Sequence, residues 1–188
     1  MEPVANAKQS ISDLFLVGGP EHREIVLVPY DPSWPARYDA QRQRIEAALG
    51  VRARRVEHIG STAVPGLVSK PILDVLVVVG DVEDETAYLA PLEAAGYLLR
   101  VREPEHRMLR TSDLGVHVHV WSDGAPAVER HLAFRDQLRA SNKDRDLYAA
   151  TKRELAGRSW PTMNHYAEAK SDVIQQILDR PALNPPLA

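Results

Sequence analysis

Residues 58–79 read HIGSTAVPGLVSKPILDVLVVV, and this stretch brings a hydroxyl, an ammonium and a carboxylate close together. Gly60-Ser61 can offer free backbone N–H groups and a hydroxyl to a phosphate. Pro65-Gly66 forces a second turn. Lys70 stands at the entry of the next apolar run, where its ammonium could reach phosphate oxygens as a point charge. Asp74 is a lone carboxylate inside that run. Burying an unpaired charge is costly, so Asp74 needs a cation or hydrogen-bond donors beside it. On a strand it shares a face with Ile72 and Leu76. A Gly-Ser turn and a capping or Arg-paired Asp are the structural alternative, but the joint pattern favours a site.

His117 and His119 form a second candidate. Two apart on a strand, they point to one face while Val116, Val118 and Val120 point to the other. Same-face histidines can share a metal, or they can be polar-face residues bonded to backbone carbonyls. Two imidazoles with one carboxylate suit zinc, manganese or iron better than magnesium. Tyr166 and Lys170 are four apart on a helix and share a face. They line a phosphate pocket, or the lysine stem packs over the ring. Arg135 and Arg139 have the same spacing, with Phe134 and Leu138 on a neighbouring face, so a basic face lies beside a core face. Trp34, Trp121 and Trp160 sit in no basic stripe and read as packing residues. His58 adjoins the glycine loop and is a candidate to support it from behind.

The elements that must position these groups follow from pattern. Residues 25–28 read as a short strand. DPSWP at 31–35 is a turn whose second proline suits a helix start, and that helix ends at Gly50. Residues 54–59 lead as a strand into the glycine loop. Residues 71–79 are almost wholly apolar, which predicts a central strand buried on both faces. Residues 84–95 predict a helix closed by Gly96. Residues 97–101, 106–111 and 116–121 predict three more strands, and 126–140, 145–156 and 164–178 predict three helices. Residues 10–17 could form a short helix that the following Gly-Gly-Pro breaks. The expected fold class is α+β: a mixed sheet with helices on one face and a helical C-terminal third. Residues 1–24 are expected to be an N-terminal extension, 25–180 the domain, and 181–188 a loose proline-rich tail.

Composition removes several functions. At 188 residues the chain suits one domain. A net charge of −3 gives no general basic field, so nucleic acid is an unlikely partner. The absence of cysteine excludes disulfides, Cys-zinc sites and thiol nucleophiles. No apolar run approaches membrane-spanning length, and the start lacks the pattern of a signal peptide. A cytoplasmic protein is expected, and a homodimer is left open.

The 58–79 segment resembles the GrpB-like family of nucleotidyltransferases. VPYDPSWP at 28–35 resembles the family's opening, HVHV at 117–120 its late strand, and RHLAFRDQLR at 130–139 the following helix. Residues 148–155 and YAEAK at 166–170 resemble its last helices. The resemblance implies a nucleotidyltransferase-like fold over about 25–179. It also implies a divalent metal, magnesium, manganese or zinc, and a nucleotide or phosphorylated small molecule as ligand. In the wider superfamily Gly-Ser precedes a strand with two carboxylates, and a third lies on a later strand. Ser61 then matches the serine and Asp74 the first carboxylate, whereas Leu76 stands where the second belongs. His119, with His117, falls at the third. Carried over, Asp74 and His119 are catalytic candidates, and Asp74, His117 and His119 hold the metal. Gly60, Ser61, Lys70, Arg107, Lys152, Tyr166 and Lys170 bind phosphate or substrate. Transfer of a nucleotidyl group to an unknown acceptor is the leading expectation. A degenerate, non-catalytic nucleotide- or protein-binding module is the first alternative, and a His/Asp metal-dependent hydrolase or transferase the second.

Overall fold

A computed structural model of the chain describes residues 11–21 and 24–181. The expected extension and tail fall partly outside these residues, at 1–10, 22–23 and 182–188. Helix α1 (Trp34–Leu49) starts behind Ser33 with Pro35 in its first turn, where no N–H is needed, and ends at Gly50. Strand β1 (Arg55–Ile59) and strand β2 (Leu73–Val79) flank the glycine loop. Helix α2 (Leu89–Ala94) is followed by β3 (Leu98–Glu103), β4 (His106–Arg110) and β5 (Val116–Ser122). Helices α3 (Pro126–Ala140), α4 (Asn142–Ala156), α5 (Met163–Glu168) and α6 (Ser171–Leu178) follow.

The five strands form one sheet in the order β1-β2-β5-β4-β3. β2 pairs with β5 in parallel, and the other neighbours are antiparallel. β2 is therefore central, as its unbroken Val/Leu run requires. Leu73, Val75, Val77 and Val79 face Trp34, Ile45 and Leu49 of α1 and Leu92 of α2. Leu76 and Val78 face the other way, onto Trp121 and onto Val128 and Leu132 of α3. A third cluster joins Val64 and Leu67 of the glycine loop to Leu138, Tyr148, Val173 and Ile177. The expected α+β architecture is thus present, with α1 and α2 on one face and the helical C-terminal third built onto the other.

Three elements differ from expectation. Residues 25–28 form no sheet strand. Val28 makes one isolated bridge with Ser69, and Pro29 has no N–H to continue the ladder. The expected helix over 84–95 divides into a 3-10 turn (Glu85–Ala87) and α2, which puts Pro91 in a first turn instead of a helix interior. The expected helix over 164–178 divides into α5 and α6, with Lys170 N–H bonded three residues back to Ala167. Residues 11–15 form a 3-10 turn. Asp13 within it is buried and accepts a 2.8 Å bond from Asn164. Among the described residues no helix is long and apolar enough to cross a membrane.

Leu109 of β4 is fully buried between the sheet and α2. Leu109→Ala should lower stability by about 2–5 kcal/mol in urea denaturation, because a tightly packed core relaxes only partly around the cavity.

Candidate functional site

The parallel register sets Asp74 opposite His117 and Leu76 opposite His119. Strand alternation then turns Asp74, His117 and His119 to one face. Asp74 Oδ1 lies 3.5 Å from His117 Nδ1 and 3.5 Å from His119 Nε2. Two atoms each about 2.1 Å from a tetrahedral ion stand about 3.4 Å apart, so these separations suit shared ligation. Among the described residues this is the one group of three that could hold an ion. Burial opposes ionisation of Asp74, but hydrogen bonding and charge from His117 and His119 outweigh it and hold its carboxyl far below the usual range.

Gly60 lies directly over Asp74. Its φ of 70° and ψ of −171° belong to a region essentially restricted to glycine. A Cβ there would stand 2.3 Å from Asp74 Oδ2. The loop approaches the carboxylate this closely only because residue 60 has no side chain.

Next to the carboxylate three lysines converge. Lys152 of α4 is buried, donates to Ser61 Oγ at 2.9 Å and bonds the Val68 carbonyl. Its Nζ lies 4.8 Å from the centre of the Tyr148 ring. Lys170 Nζ lies over the Tyr166 ring at 4.3 Å and Lys70 Nζ over the same ring at 5.5 Å. Burial first, and then repulsion from Lys170, Arg153 and Lys70, pushes Lys152 down to about 7. Burial and Lys70 push Lys170 down to about 8. Gly60, Ser61, Lys70, Asp74, His117, His119, Lys152, Tyr166 and Lys170 all line one cavity of about 660 Å³.

Arg107 does not join them. It alternates to the opposite face of β4, where it is buried and bonds Glu83 at 2.6 Å and Glu85 at 2.5 Å. The basic side chain of β4 on the site face is Arg110, which pairs with Glu21 at 2.6 Å. His58 also faces away. It stacks on Tyr38 and bonds Thr62 Oγ1 at 3.0 Å, so it supports the glycine loop from behind. Arg135 and Arg139 brace the same loop by donating to the carbonyls of His58 and Ala63. Trp34 packs in the core, and Trp160 donates to the Leu155 carbonyl. Trp121 packs on α3 and also underlies His106 and His119.

Sequence reasoning missed Glu103, His106 and Tyr148. His106 Nε2 stands 3.1 Å from His119 Nδ1, and His106 Nδ1 stands 2.6 Å from Glu103 Oε1. Alternation along β4 groups His106, Met108 and Arg110, but only the β4–β5 register, with Met108 opposite His119, reveals that this face meets the histidines. Tyr148 lines the same cavity and lies under the Lys152 ammonium.

The pair of carboxylates that would clamp magnesium does not fit this site. Leu76 at the second position is fully buried against Ile59, Trp121 and α3. The donors present, one carboxylate oxygen and two imidazole nitrogens, fit a single borderline transition-metal cation.

The family model described as GrpB protein matches residues 24–180. A UPF0157 protein of Streptomyces coelicolor is 51% identical over 173 residues, covering 92% of each chain. The crystal structure of conserved protein GrpB from Enterococcus faecalis superposes with a TM-score of 0.68 at 30% identity, covering 81% of this chain and 97% of that one. Cid1 in complex with the UTP analog UMPNPP superposes with a TM-score of 0.50 at 12% identity, covering 75% of this chain and 48% of that one. The chain thus shares its fold with the Enterococcus faecalis protein and with Cid1.

Two substitutions test the geometry. Gly60→Ala should cost about 1–3 kcal/mol in denaturant unfolding, since it strains the backbone and displaces Asp74. Leu76→Asp should destabilise by about 3–5 kcal/mol rather than supply a second metal ligand, because its carboxylate would be buried unpaired.

Proposed function

The chain belongs to the GrpB family, and on that premise we propose that it binds a nucleotide or a related phosphorylated small molecule and transfers a nucleotidyl group to an acceptor. The observation that carries this reading is the convergence of Lys70, Lys152 and Lys170 with Ser61 beside Asp74 in one cavity. Ammonium groups held together in a partly dry pocket repel one another, and a polyphosphate relieves that repulsion. The cavity volume falls within the range of small-molecule sites. That Cid1, which shares the fold, binds a UTP analog makes nucleoside triphosphates the first ligands to screen.

In this reading the Gly60-Ser61 loop and Lys152 hold phosphate oxygens, and Lys70 and Lys170 offset their charge. Tyr148 and Tyr166 keep the ammonium groups apart and exclude water around them. Asp74, His117 and His119 would hold a divalent cation, which neutralises phosphate charge and lowers the pKa of an oxygen bound to it. Ser61 Oγ accepts from Lys152, which leaves its O–H to donate to a phosphate oxygen.

Leu76 favours a second reading, a binding module that holds the nucleotide without turnover. Nucleotide affinity combined with no product in acceptor screens would select it.

Calorimetry of nucleoside triphosphates with manganese or magnesium, on the wild type and on Asp74→Ala, is the direct test. Affinity should fall about tenfold or more in Asp74→Ala, and equal binding by both proteins would remove Asp74 from the site. A pH series adds a second test. The free protein carries the Lys152 ammonium below about pH 7 and loses it above. Phosphate affinity should therefore be greatest at or below pH 7 and fall by up to about tenfold per unit above it. In Lys152→Met that fall should start only near pH 8, where Lys170 titrates.

A further inference from the structure

We infer that Glu103 and His106 are positioning residues which, through an ordered chain of hydrogen bonds, fix His119 as the tautomer whose Nε2 lone pair faces Asp74 and so aim it at a cation. The inference rests on the proposed reading of Asp74, His117 and His119 as a cation centre.

The argument is donor and acceptor accounting along one line of atoms. An ionised Glu103 carboxylate can only accept, so the 2.6 Å contact requires a proton on His106 Nδ1. A neutral His106 then has a lone pair on Nε2. That nitrogen is 3.1 Å from His119 Nδ1, so the proton between them belongs to His119 Nδ1. A neutral His119 is left with its lone pair on Nε2. That lone pair meets Asp74 Oδ1, a second acceptor, at 3.5 Å. Two acceptors facing each other need a positive charge between them: a proton, which makes His119 the charged donor that holds the Asp74 carboxyl down, or a metal ion, for which His117 Nδ1 at 3.5 Å from the same oxygen supplies a third ligand.

Packing restricts the chain to this line. The rings of His106 and His119 are parallel to within 8°, with centroids 5.3 Å apart. Combined with a nitrogen separation of 3.1 Å, this puts the rings end to end, nitrogen toward nitrogen, and not face to face. Trp121 lies against both, at 4.6 Å from His106 and 5.5 Å from His119, with interplanar angles of 17° and 11°. Rotation of either imidazole would break its hydrogen bonds and its contact with the indole. A carboxylate behind a ligating histidine is a recurrent means of orienting it; here a second histidine extends the reach by one ring.

Glu103→Gln tests the chain with little change of shape, because an amide can donate as well as accept and lets the chain run in reverse. The reversed chain places a proton on His119 Nε2. Two readouts apply. In metal-free protein, long-range nitrogen–proton NMR of the imidazoles should find His119 protonated at Nδ1 in the wild type and shifted toward the Nε2 form in Glu103→Gln. In calorimetry with zinc(II) alone, Glu103→Gln should bind about 10–100-fold more weakly than wild type, and Glu103→Asp should recover part of the loss. Matched thermal unfolding of the metal-free proteins separates this from loss of fold. A His119 unprotonated at Nδ1 in the wild type, or unchanged zinc affinity in Glu103→Gln, overturns the inference. Failure of the wild type to bind zinc at all overturns the cation reading itself, and the NMR tautomer then decides the positioning role independently.

Discussion

Asp74 is a half-buried carboxylate on the central strand of the sheet, and its charge is the constraint the surrounding structure answers. An isolated ionised group there would be strongly unfavourable, so partners must be brought to it. The parallel pairing of β2 with β5 supplies them, because it places His117 and His119 on the same face and within 3.5 Å of one carboxylate oxygen. The antiparallel pairing of β1 with β2 supplies the third side. It brings Ile59 opposite Asp74, so the loop that follows crosses over the carboxylate at Gly60. The register on both flanks of β2 thus surrounds the one charged residue in its apolar run.

The rest of the cavity lining is electrostatic in the other sense. Lys70, Lys152 and Lys170 come from three separate segments, and burial, then their mutual repulsion, pushes Lys152 and Lys170 below the ordinary lysine range. Tyrosine faces provide part of the compensation, since an ammonium over a ring is attracted by its quadrupole. Asp74 draws the same lysines from across the cavity. A pocket with one acidic and one cationic wall suits a ligand that carries negative charge and brings a cation with it.

Leu76 and the histidines give this centre its own character. The side chain that could have been a second carboxylate is committed to the contact between the sheet and α3, where Ile59, Trp121, Val128 and Leu132 enclose it. Imidazoles stand where a hard-oxygen cage would otherwise be needed. Softer nitrogen donors shift preference away from magnesium, which favours oxygen ligands and retains its waters. The same β5 face continues to Trp121, which serves both as core under α3 and as the floor beneath His106 and His119.

Much of this was legible in local pattern. The apolar run of β2 marked the central strand, alternation put His117 and His119 on one face, and the lone Asp74 announced a site because buried charge needs a reason. Turn residues located the glycine loop and most helix ends. Proline chemistry could have divided the helix over 84–95, since Pro91 fits a first turn and not an interior. What one-dimensional reading could not supply was which way β4 faces and what it meets. Arg107 and His106 are adjacent in sequence, yet alternation sends one to Glu83 and Glu85 and the other to His119. The choice between them depends on the register of β4 against β5, and register is a property of paired strands. The sequence alone determined the strands, the loop and the residue types able to do chemistry. Only the tertiary structure decided which of those residues meet, because helix packing brings Lys152 to Ser61 and strand pairing brings His106, with Glu103 behind it, to His119.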